Sequence, residues 1–76
     1  MFIKFQNLKT AQFNNALPEL RLILRSYSSP INHVSFSYER NKNGLINLCI
    51  SILGITDSYV RKEIETKLNR LFIHIR

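Results

Sequence analysis

The sequence predicts a single α+β domain spanning residues 1–76. In two neighbouring segments apolar and polar residues alternate, which is typical of half-buried strands. In two other segments apolar residues recur every three or four positions, which is typical of amphipathic helices. Apolar residues make up 45% of the chain and charged residues 21%, so the composition is that of a globular protein and excludes a disordered one.

The first strand and the first helix are predicted in the N-terminal third. Residues 1–9 begin with Phe2, Ile3 and Phe5 around polar neighbours, which favours a strand. Asn14 or Asn15 is expected to cap a helix over residues 16–28, which places Pro18 in the first turn. Serines and a proline at 28–30 end it. The apolar face of this helix consists of Leu17, Leu20, Ile23, Leu24 and Tyr27.

The middle of the chain predicts a β-hairpin. Residues 31–40 and 45–53 both alternate, and the loop length decides whether their apolar faces coincide. A two- or four-residue loop would put the apolar side chains of the two strands on opposite faces. A three-residue loop at 42–44, with Gly44 in the left-handed conformation of a bulge, puts them all on one face. The predicted register pairs position 34 with 52, 36 with 50, 38 with 48 and 40 with 46.

A second helix and a short last strand complete the predicted order. Thr56 or Asp57 is expected to cap the helix. Residues 72–76 are predicted as a strand with Ile73 and Ile75 facing inward. The order βαββαβ is the ferredoxin-like plan, a four-stranded antiparallel sheet with two helices on one face. The apolar positions of the second helix are Val60, Ile64, Leu68 and Leu71.

The sequence contains few residue patterns that could form a catalytic or metal-binding site. One cysteine, Cys49, excludes an internal disulfide framework and the metal sites that need paired cysteines. His33 and His74 have no nucleophile or carboxylate at motif spacing, and no phosphate-binding loop occurs. The chain is therefore predicted to be non-catalytic, with no metal site and no cofactor of its own.

Charge and hydropathy set expectations for compartment and partners. Eleven Lys and Arg against five Asp and Glu give a net charge of +6, but the cations are scattered along the chain. This distribution favours a solvated basic surface over a nucleic-acid site, although a small basic nucleic-acid-binding module stays as a less favoured alternative. No apolar run approaches the length of a membrane span and the start lacks the pattern of a secretory signal, so a cytoplasmic protein is expected.

The segment 31–40 is expected to lie at a sheet edge. It is regular and has no internal proline, and its outward side chains are His33, Ser35 and Ser37, with no lysine to discourage a partner strand. The sequence therefore predicts a homodimer joined through this edge, with the backbone N–H of Ser35 among the pairing groups. The alternative is an edge that faces solvent.

Several short segments give the chain a family resemblance. They are FN at 13–14, LILR at 22–25, SFSY at 35–38, INL at 46–48 and LNRL at 68–71. With the order of elements, they resemble the ACT domain family, and within it the short small subunits of acetolactate synthase. None of these segments is a catalytic signature.

The resemblance implies a regulatory role. Such subunits dimerise and bind a large catalytic subunit that holds thiamine diphosphate and Mg²⁺, so this chain is expected to activate acetolactate synthase in branched-chain amino acid biosynthesis. The implied effector or helix-entry loop is Asn14, Asn15 and Ala16, without the glycine that many effector-binding ACT domains have there. The alternative is a free-standing ACT-like module that senses amino acids for another enzyme.

Overall fold

The computed structural model describes residues 1–73 and contains one antiparallel sheet and two helices. The elements are β1 (Phe2–Leu8), α1 (Thr10–Tyr27), β2 (His33–Arg40), β3 (Ile46–Leu53) and α2 (Ser58–Ile73). The strands lie in the order β1-β3-β2. The predicted α+β class is confirmed. Neither helix within residues 1–73 combines the length and apolarity needed to cross a membrane.

The core forms between one face of the sheet and both helices. In the central strand β3, every second residue is buried and the residues between them are partly exposed. The buried side chains of α1 and α2 join the same cluster, so both helices cover the same face of the sheet. Four of the core side chains are 0% exposed: Leu20, Ile50, Ile64 and Leu68.

Helix α1 begins earlier than its sequence predicts. It starts at Thr10 and its N-cap is Lys9, which makes no side-chain capping bond, so the expected cap at Asn14 or Asn15 is wrong. Phe13 and Ala16 are buried, and this apolar contact extends the helix toward its N-terminus without a capping side chain. Pro18 consequently lies inside the helix, on its exposed side.

The hairpin between β2 and β3 confirms the predicted turn and register. Gly44 has a φ of 77°, its N–H donates to the Asn41 carbonyl at 3.1 Å, and the N–H of Asn41 donates to the Leu45 carbonyl at 2.8 Å. This is the three-residue loop with a glycine bulge. The paired positions are 34 with 52, 36 with 50, 38 with 48 and 40 with 46, as predicted.

Helix α2 confirms one predicted boundary and corrects the other. The carboxylate of Asp57 accepts from the N–H of Tyr59 at 2.8 Å and caps the helix as expected. At the other end, Phe72 belongs to the helix, where its ring lies 5.0 Å from that of Phe5. The predicted strand at 72–76 is wrong for its first two residues, and positions 74–76, Ile75 among them, lie outside the described residues. Residues 1–73 thus contain three strands.

Candidate functional site

Strand β2 forms one edge of the sheet, as its sequence predicts. It pairs with β3 on one side, and within residues 1–73 no strand pairs with its other side. The strand is eight residues long with no proline. An edge of this kind presents a row of free N–H and C=O groups to a second chain.

The hairpin turn determines which residues supply those free groups. Asn41 and Leu45 are a hydrogen-bonded pair, and bonded and non-bonded pairs alternate along an antiparallel ladder. The odd-numbered residues of β2 therefore bond to β3, and the even-numbered residues point their N–H and C=O groups outward. The outward set consists of Val34, Phe36, Tyr38 and Arg40.

The hydrogen bonds on the other side of β3 lead independently to the same assignment of bonded and outward-pointing residues. Met1 and Ile52 exchange two hydrogen bonds, at 2.9 and 3.1 Å, so the even-numbered residues of β3 bond to the N-terminal strand. The odd-numbered residues of β3 are consequently those that bond to β2. In the observed register these face the odd-numbered residues of β2, in agreement with the turn.

This assignment of hydrogen bonds changes the roles of the predicted edge residues. His33, Ser35 and Ser37 are exposed on the face of the sheet away from the helices. Their side chains flank the edge, but their backbone groups bond to β3. The prediction that the N–H of Ser35 lies at the open edge is therefore wrong. The three-residue turn was already predicted from the sequence. Because it makes positions 41 and 45 a bonded pair, it implies that the even-numbered residues of β2 supply the outward N–H groups.

The side chains of Val34, Phe36 and Tyr38, three members of the outward set, form an apolar strip between the edge and α1. Val34 and Phe36 are half-buried, and Tyr38 is 57% exposed. The Tyr38 ring stacks on Phe36, with centroids 6.4 Å apart, and lies 4.8 Å from the ring of Phe13 in α1. An added strand would cover this aromatic surface while bonding to the edge. Farther along the strip, the wall is formed by Arg21, Leu24 and Arg25 of α1 and by Ser28, which follows the helix.

The predicted effector loop is not at the helix entry. Asn14 and Asn15 are exposed within α1, and Ala16 is 1% exposed against the core. The expectation that these residues form an entry loop is therefore wrong. A buried alanine on a regular helix has no free backbone N–H to offer an amino-acid carboxylate, since its N–H serves the helix.

The face of the sheet away from the helices has a shallow depression lined by polar, charged and apolar residues. Cys49, on β3, is partly exposed there and lies opposite Ser37. Within residues 1–73, no group of three His, Cys, Asp or Glu side chains could hold a metal ion. The residues around the depression are Lys4, Phe5, Gln6, Ser37, Tyr38, Glu39, Asn47, Leu48 and Cys49.

Three asparagines connect the hairpin to the first strand, and no sequence pattern predicted that they would cluster. Asn7 has a φ of 60° at an irregularity in β1, a conformation that asparagine tolerates better than most residues. Nδ2 of Asn41 donates to Oδ1 of Asn7 at 2.9 Å and to Oδ1 of Asn47 at 3.3 Å. These bonds connect the hairpin end of β2 and β3 to β1.

A charged contact joins the two helices. The hydroxyl of Tyr27 donates to the carboxylate of Glu63, and Nζ of Lys67 lies 3.4 Å from the same carboxylate and 5.0 Å from the centre of the Tyr27 ring. The hydrogen bond from Tyr27, and then Lys67, lowers the pKa of Glu63. Interaction with Tyr27, and then with Glu63, raises the pKa of Lys67.

No protein-family model, curated protein or solved structure matches the chain.

Proposed function

We propose that this chain is a regulatory small subunit of the ACT type, which dimerises through β2 and activates the thiamine-diphosphate-dependent large subunit of acetolactate synthase. The chemistry belongs to the large subunit, which supplies the thiamine diphosphate and Mg²⁺. The chain itself contributes binding surface and holds the assembly together.

The observation that carries the proposal is the open edge of β2. Four residues point their backbone N–H and C=O groups outward, and the side chains of three of them form the apolar strip, so this surface is suited to a second copy. The order β1-β3-β2, with both helices on one face, is compatible with the ferredoxin-like plan on which ACT domains are built.

The test reconstitutes the enzyme. The full chain is mixed with the purified large subunit from the same genome, and condensation of pyruvate is measured with saturating thiamine diphosphate and Mg²⁺. We expect a stable complex in size-exclusion chromatography and an increase in kcat. Absence of both a complex and a rate change would overturn the proposal.

A matched pair of variants separates dimerisation from contact with the large subunit. Val34→Pro removes an outward N–H from each copy, and Val34→Ala shortens the same side chain but keeps that N–H. We expect Val34→Pro to lose most of the activation and Val34→Ala to retain it. Equal activation by the two variants would contradict a role for the β2 edge.

A further inference from the structure

We propose that two copies pair through β2 in the register that places Phe36 on the twofold axis, opposite Phe36 of the partner subunit. This inference rests on the proposed dimer and adds its geometry. The occupant of the edge is a second copy of this chain, because the edge is complementary to itself in hydrogen bonding, in apolar cover and in charge.

Hydrogen-bond phase limits the possible registers. In a symmetric antiparallel pair, bonded residues exchange both hydrogen bonds, so each must belong to the outward, even-numbered set. Position 36 or position 37 can then lie on the axis with nearly all of the strand paired. The first choice pairs residues 33–39 of each copy and the second pairs residues 34–40.

The side chains distinguish these two registers. With Phe36 on the axis, Val34 faces Tyr38 of the partner subunit and covers the most exposed ring of the strip. On the face of the sheet away from the helices, His33 faces Glu39 of the partner subunit, and an imidazole N–H can donate to a carboxylate.

The register centred on Ser37 also covers Tyr38, with Phe36 of the partner subunit, but it moves His33 away from Glu39 of the partner subunit. It sets the guanidinium of Arg40 opposite the apolar Val34 of the partner subunit. Arg40 already donates to the carbonyl of Gly44 at 3.3 Å and lies 3.5 Å from the hydroxyl of Thr10. The larger number of apolar pairs and the match of His33 with Glu39 of the partner subunit therefore both favour Phe36 on the axis.

Cysteine crosslinking reads the register directly. With Phe36 on the axis, position 35 faces position 37 of the partner subunit in a non-hydrogen-bonded pair, with Cα atoms about 4.5 Å apart. That separation is within the range of a disulfide. Ser35→Cys and Ser37→Cys are made separately in a Cys49→Ala background, which removes the native thiol opposite position 37.

We expect an oxidised mixture of the two variants to form a crosslinked dimer that neither variant forms alone. Crosslinking of Ser37→Cys alone would indicate Ser37 on the axis, and crosslinking of Ser35→Cys alone would indicate Ser35 there. Either result overturns the inference while leaving a β2 dimer in place. Thr66→Cys, on the exposed side of α2, measures crosslinking by random collision.

Charge exchange gives a second readout. His33→Glu places two carboxylates opposite each other at both ends of the interface, and we expect the dimer to weaken by about 2- to 30-fold. Adding Glu39→His restores the original pair in reverse and should restore affinity. Failure of this rescue argues against the register, and a monomeric wild-type chain in sedimentation overturns the proposed dimer as well.

Discussion

The backbone N–H of Asn41 donates to the carbonyl oxygen of Leu45 at 2.8 Å, and this bond fixes the hydrogen-bonding phase of the whole β2 edge. Because bonded and non-bonded pairs alternate from the turn, Val34 points its N–H outward and Ser35 points its N–H toward β3. Two adjacent residues thus direct their N–H groups to opposite sides of the strand.

Ser35→Pro should destabilise the fold itself. The substitution removes an N–H that bonds to the partner of Ser35 on β3, Ser51, and it leaves a carbonyl of the central strand without its donor. We expect a loss of about 1–3 kcal/mol in the free energy of unfolding, measured by urea titration. Val34→Pro is the matched control and should cost less, because its N–H faces away from the sheet. Equal costs would contradict the assigned phase.

Core truncations should separate the two faces of β3. Leu48 and Ile50 are at most 1% exposed beneath the helices, and Leu68 of α2 is fully buried. Replacing each with alanine should cost about 2–5 kcal/mol, measured by chemical unfolding. Cys49→Ala is the control on the opposite face and should cost much less. A comparable loss for Cys49→Ala would place the wrong face of the strand against the core.

The two glycines should respond differently to alanine. Both have positive φ, 77° for Gly44 and 90° for Gly54, so each substitution carries a backbone cost of about 1–2 kcal/mol. An added Cβ at Gly44 meets open space. At Gly54 it would collide with the carbonyl oxygen of Ile31 and lie 3.1 Å from Cα of Asn32. We expect Gly54→Ala to lower the unfolding temperature clearly more than Gly44→Ala; the reverse order would contradict this packing.

The contact between the helices should make stability depend on pH at both extremes. The folded pKa of Glu63 lies below 4.5, so its contribution is present above pH 4.5 and is lost as the pH falls through that lower value. The folded pKa of Lys67 lies above 10.5, so its contribution is present below pH 10.5 and is lost as the pH rises through the higher value.

Glu63→Gln should therefore flatten the acid side of a profile of unfolding temperature against pH. Glu65→Gln, on the same exposed helix, is the control and should leave that side unchanged. An acid limb that is unaltered in Glu63→Gln would show that the contact adds nothing measurable to stability.

The hairpin could be predicted from local sequence because the alternating pattern and the turn residues together specify its register. A one-residue change in loop length would move every apolar side chain of one strand to the other face, so the pattern and Gly44 together determined the turn. The edge position of β2 followed from the order of elements. The turn also determines which residues of β2 point their N–H and C=O groups outward. The prediction used the exposed side chains instead, and it therefore assigned the outward N–H to Ser35.

The start of α1 and the end of α2 were predicted wrongly because tertiary contacts, and not local sequence signals, determine them. Lys9 is a poor cap by sequence, yet burial of Phe13 and Ala16 against the sheet extends α1 to Thr10. Phe72 has strand propensity, but its ring packs on Phe5 from within α2. In both places, long-range apolar contact outweighed the local signal.

The central claim, that β2 is the surface through which two copies associate, is tested most directly by sedimentation equilibrium of the wild-type chain, Val34→Pro and Val34→Ala. We predict a dimer for the wild type and for Val34→Ala. For Val34→Pro, which loses two hydrogen bonds per dimer, we predict a dissociation constant raised at least about fivefold with the protomer still folded. A wild-type monomer, or a folded Val34→Pro protein that dimerises as tightly as Val34→Ala, would contradict the claim.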